Sequence, residues 1–137
     1  MTNVFCCITV NGMPVKSFGR LVRELRIKNR EYSSLRDFAK KVGLSPAYLS
    51  RIENGKEPPP SEPIVERLAE ALGADKYELF GCAGRVPTEF LETFRRNPKG
   101  MASFMRRVKE VGLETNGEWR ELEGSLSQMK RKRKNDP

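Results

Sequence analysis

FAKKVGLSPAYLSRIENGK, Phe38 to Lys56, is the stretch whose reading decides the fold. Extended back to Ser34, its first half places Leu35, Phe38, Ala39 and Val42 three or four residues apart, on one face of a helix. Ser34 stands where a side-chain oxygen accepts orphan amides, and Asp37 three residues on resembles the second member of a capping pair. Gly43 follows Val42 directly, a residue type that tolerates positive φ where the chain must turn sharply. Leu44 re-enters the core. Ser45-Pro46 then starts a second helix: serine caps it, and proline lacks only an amide that would be orphaned anyway. Leu49 and Ile52 point inward, Asn54-Gly55 ends the helix, and Pro58-Pro59-Pro60 prevents its continuation. Two short helices joined by one tight turn are therefore expected here.

Working outward, Leu21, Val22, Leu25 and Ile27 give a helix before this pair, from Phe18, with Ser17 as its cap. Lys28 to Ser33 is a polar connection. After Ser61, Ile64, Val65, Leu68, Ala69 and Leu72 form the stripe of a fourth helix closed by Gly73. A short fifth helix, Asp75 to Phe80, adds Leu79 and Phe80 to the same core. Beyond Gly84, Pro87 and Pro98 punctuate weaker amphipathic segments at Thr88 to Arg96, Lys99 to Val111, and Glu118 to about Met129. FCCITV, Phe5 to Val10, is the one run of β-like composition.

Charge is placed unevenly along the chain, whose formal net charge is +8. Lys16 to Lys56 carries eleven Lys or Arg against four acids, whereas Glu57 to Gly81 carries two against six. One end of the expected domain is thus basic and attractive to a polyanion. A second basic run, KRKRK at Lys130 to Lys134, reads as a solvated tail. Three cysteines, Cys6, Cys7 and Cys82, lack metal-ligand spacing and there is no histidine, so no metal or cofactor is expected. Free thiols fit a reducing cytoplasm, the expected location, with association to the nucleoid. No Gly-rich phosphate loop or GxSxG nucleophile motif is present, and an enzyme is not expected. The first fifteen residues lack a charged n-region and a long apolar h-region, so they are not read as a signal peptide, and no membrane span is seen.

With FGRLVRELR before it and IVERLAEALGADKYELF after it, the quoted stretch closely resembles the XRE or Cro/repressor family of helix-turn-helix proteins. The resemblance covers Ser17 to about Phe80, with the helix starts and stops in the family order. It implies an all-α chain: a five-helix repressor-like helix-turn-helix domain over 17–82, preceded by an extension over 1–16 that is either a short strand or disordered. A helical dimerisation or partner-binding region over 83–129 and a disordered basic tail over 130–137 follow. It also implies that the helix at Ser34 to Val42 lies over a duplex backbone while the one at Ser45 to Asn54 enters the major groove. Glu53 is implied to be a buried carboxylate paired with Arg26, both structural.

A helix presented in a groove exposes its amino-terminal residues and one face, here Ser45, Pro46, Ala47, Tyr48 and Arg51. Arg51 is the candidate base reader, because its fork bonds guanine O6 and N7 together; a phosphate contact is the alternative. Ala47 suits a thymine methyl, Ser45 is promiscuous, Pro46 offers shape, and Tyr48 reaches either a base or a phosphate. Positioning contacts to phosphate are expected from Ser34, Arg36, Asn54 and Lys56, with Lys40 and Lys41 beside them. Two features depart from the common family pattern: a connection between Arg26 and Ser34 longer by about two residues, and the short side chains at Pro46 and Ala47.

One recognition helix contacts few base pairs, so a two-fold dimer on a palindromic site is expected. Phe104, Trp119, Leu122 and Leu126 are the candidate interface residues, with Trp119 and Phe104 as anchors because large aromatics dominate interface cores. Double-stranded DNA and a second copy of the chain are the expected partners, in a homodimeric repressor. The alternative is an antitoxin or accessory module whose C-terminal helices bind another protein.

Overall fold

A computed structural model describes residues 9, 10, 13, 14, 17–32 and 34–135. Most of the expected extension, including Phe5 to Ile8 with Cys6 and Cys7, lies outside the described residues. What is described there is a minimal antiparallel pair, β1 (Thr9–Val10) and β2 (Met13–Pro14), with Thr9 opposite Pro14 and Val10 opposite Met13. The fold is all-α. Its eight α-helices among the described residues are α1 (Phe18–Lys28), α2 (Leu35–Val42), α3 (Pro46–Glu53), α4 (Glu62–Leu72), α5 (Lys76–Cys82), α6 (Thr88–Arg96), α7 (Pro98–Val111) and α8 (Asn116–Asn135).

The starts and stops follow local chemistry. The Ser34 hydroxyl accepts from the Asp37 amide at 3.5 Å, and Ser45 from Tyr48 at 3.2 Å. Gly43 adopts φ 71°, and the Leu44 amide donates back to the Ala39 carbonyl at 2.9 Å, closing α2 in a left-handed cap that swings the chain into α3. Ser17 departs from expectation. It holds the position before α1 in extended backbone, yet its side chain makes no capping bond. Lys28 to Ser33 is not all irregular either: α1 runs through Lys28, and Arg30–Tyr32 form one 3₁₀ turn that brings the Tyr32 ring to 5.6 Å from that of Phe38.

Two compact units divide the chain, one up to Phe90 and one from Leu91. In the first, Val22, Phe38, Val42, Leu49, Ile52, Val65, Leu68, Leu79 and Phe80 are all but fully buried in one core drawn from α1 to α5. Each contributes roughly 1.5–3 kcal/mol of apolar burial. At Gly19 the approach of α1 to α3 is so close that a Cβ would lie 2.0 Å from the Ile52 carbonyl oxygen. This unit runs past the expected limit at residue 82, because polar ties hold the following segment. Arg85 donates to the carbonyls of Pro59, at 2.7 Å, and Pro60; Thr88 Oγ1 donates to Glu62 at 2.7 Å; Tyr77 donates to Glu89 at 2.8 Å.

The second unit, described alone, is helical, and none of its described residues is buried. Asn97 caps α7 by accepting from the Gly100 amide at 3.0 Å, and Gly112 ends it at φ 68°. Thr115 and Glu118 form a reciprocal capping box that starts α8 ahead of the expected Glu118. At its far end α8 continues past Met129, through Lys130 to Lys134, where the sequence reading placed a disordered tail. Lysine and arginine are good helix formers, and at a helix C-terminus they complement its dipole.

Candidate nucleic-acid interface

α3 is held from behind and open in front. Leu49 and Ile52 anchor it to the core, while Ser45, Pro46, Ala47 and Arg51 are exposed. The Ser45 hydroxyl oxygen accepts the Tyr48 amide. Its O–H proton remains available, so toward a base it acts as a donor. Tyr48 is less presented than expected: it is half-buried, with its side chain against the core. Its place in the first turn of α3 turns it partly inward, beside the neighbouring Leu49.

Arg51 projects from the exposed face, its guanidinium Nε 3.1 Å from a Glu57 carboxylate oxygen. Sequence reasoning missed Glu57, which lies across the turn that ends α3, and no spacing rule marks it. Around α3, Arg36, Lys40, Lys41 and Lys56 are exposed, as is Ser34 at the start of α2. The Ser34 hydroxyl, like that of Ser45, accepts from an amide and keeps its proton to donate. Asn54 stands apart from this set. Its side-chain amide nitrogen turns back on the helix, donating to the Ser50 carbonyl at 2.8 Å and the Ser50 hydroxyl at 3.3 Å. An amide nitrogen turned back on its own helix in this way must swing out before it donates to a phosphate.

Behind α3, Arg26 and Glu53 form a bidentate pair, Nε to Oε1 at 2.7 Å and Nη2 to Oε2 at 2.9 Å, with both side chains buried. The side-chain hydrogen bond that Arg26 donates to Glu53 holds the Arg26 pKa above its already alkaline ordinary value. Arg26 therefore stays charged throughout the neutral range. The pair ties the last full turn of α1 to the last residue of α3, fixing the far end of the presented helix while Gly19 sets its distance.

The remaining candidates lie on the second unit. Phe104 and Trp119 remain 36% and 41% exposed, Leu126 is exposed and Leu122 is half-buried. Phe94, Met105 and Met129 are further large apolar side chains left open there. None of α6 to α8 is long and apolar enough to cross a membrane, and this holds for every described helix.

Residues 17–79 match the family model of a helix-turn-helix domain. The matched residues include α1 to α4 and the first part of α5, and leave the second unit outside. The chain is also 33% identical over 86 residues to a protein of Bacillus subtilis (strain 168) named "Uncharacterized HTH-type transcriptional regulator RghRB". The aligned part is 63% of this chain and 60% of that relative, so the chain spans under two thirds of the relative's length. No solved structure matches.

Proposed function

We propose that this protein is a sequence-specific DNA-binding transcriptional regulator of the XRE or Cro/repressor type, acting as a homodimeric repressor at a palindromic operator. The observation that carries the reading is α3 itself: capped by Ser45, packed through Leu49 and Ile52, and open on the side that bears Arg51. In this reading α3 lies in the major groove, Arg51 reads a guanine, and Ser45 and Ala47 meet neighbouring bases. Ser34, Arg36, Lys40, Lys41 and Lys56 set the register on phosphates, which positions the helix without carrying sequence information. The helix-turn-helix match and the name of the Bacillus relative support this class of function. The homodimer is supported by the second unit, whose apolar side chains lack a buried core within one chain.

Selection of bound sequences from random duplex DNA tests the proposal. The wild-type protein is expected to enrich a two-fold symmetric motif, and Arg51→Ala to lose one guanine preference per half-site, at roughly 1–3 kcal/mol. Enrichment of no sequence by the wild type would sink the reading. A C-terminal unit that folds only on binding a different protein would favour the accessory or antitoxin alternative.

A further inference from the structure

We infer that Glu57 is a positioning residue for Arg51: it aims the guanidinium at a base and makes the same group a poor binder of phosphate. This rests on the duplex-reading function proposed above. The Glu57 carboxylate lies 3.1 Å from Nε, and among the described residues it is the one acid paired with the Arg51 guanidinium. The two terminal nitrogens stay open, and they are the pair whose spacing matches guanine O6 and N7.

Glu57 is itself held on both sides. Before it, the Lys56 amide donates to the Arg51 carbonyl at 2.8 Å and the Gly55 amide to the Ile52 carbonyl at 3.0 Å, folding the turn against the end of α3. After it come three prolines with restricted φ, and the carbonyls of Pro59 and Pro60 are gripped by Arg85. The acid thus sits on a braced turn while the arginine is the more exposed side chain of the two, so the acid directs the arginine. A negative charge at this point also repels phosphate. It weakens indiscriminate binding to any duplex while leaving base edges readable.

The test compares wild type, Arg51→Ala, Glu57→Ala and Glu57→Gln on three duplexes: the selected site, the same site with the Arg51-dependent guanine replaced, and a random sequence. Thermal midpoints first establish that each variant is folded. Glu57→Ala is expected to lose about tenfold of the discrimination between the first two duplexes, and to bind the random duplex several-fold more tightly at low salt. Glu57→Gln keeps an oxygen acceptor for Nε but no charge. It is expected to retain most of the discrimination while sharing the gain on random DNA. Discrimination unchanged in Glu57→Ala but abolished in Arg51→Ala overturns the role of Glu57 and leaves the proposed function standing. A wild type that distinguishes none of the duplexes overturns both.

Discussion

Arg26 and Glu53 illustrate what one buried contact decides. Each charge loses its water on folding, and the other, at 2.7 and 2.9 Å, takes the place of that water. Arg26→Met should therefore cost about 3–5 kcal/mol, mostly as the penalty of a stranded carboxylate. Joining it with Glu53→Leu should recover most of that loss in urea denaturation. A single variant within about 0.5 kcal/mol of wild type would show that the pair does not brace α1 against α3. Their union came only from the family resemblance, since 27 residues separate them and no local pattern joins them. Gly19 was less legible still. In sequence it is a helix-weakening residue; in space it is the one side chain size that admits the Ile52 carbonyl.

At the scale of the element, most boundaries were readable because capping chemistry is local. Ser34, Gly43, Ser45-Pro46 and Gly73 act within a few residues of themselves. The box Thr115-x-x-Glu118 was equally readable and was passed over, which set the expected start of α8 too late. Glu118 accepts from the Thr115 amide and hydroxyl and from the Glu114 amide, and these bonds lower its pKa from the ordinary carboxylate value, the Thr115 amide foremost. A lowered folded pKa stabilises the cap above the unfolded value, and that contribution is lost as pH falls through the folded one. Helical ellipticity should thus drop on acidification below about pH 4. Glu118→Ala should start lower at neutral pH and show a smaller acid step. Equal steps in the two proteins would place the transition elsewhere.

For the whole molecule, the energetic feature that stands out is the exposed apolar surface of the second unit. Trp119, Phe104 and Leu126 stay partly in water within one chain, a cost that a second copy would relieve. Trp119→Ala should shift the sedimentation-derived dimer constant toward monomer by about 2 kcal/mol, with the first unit's thermal transition unchanged. Sedimentation identical to wild type at low concentration would remove Trp119 from the interface. The same scale explains why interface residues were harder to read than core residues. A core face is defined by periodicity against its own chain, whereas an interface face is defined by a partner the periodicity does not name.

Helix type and order from Phe18 to Leu72, and the punctuation at Ser34, Gly43, Ser45-Pro46 and Gly73, were determined by the sequence alone, because turn geometry, capping and apolar spacing are properties of neighbours a few residues apart. So was the basic character of the region carrying α2 and α3. Only the tertiary structure decided that Arg51 meets Glu57, that Asn54 turns back on Ser50, that Tyr48 is half hidden, and that Gly19 receives a carbonyl. The reason is physical: these depend on where a turn delivers a side chain in three dimensions, and a shift of one rotamer or one ångström changes the partner without altering any local propensity.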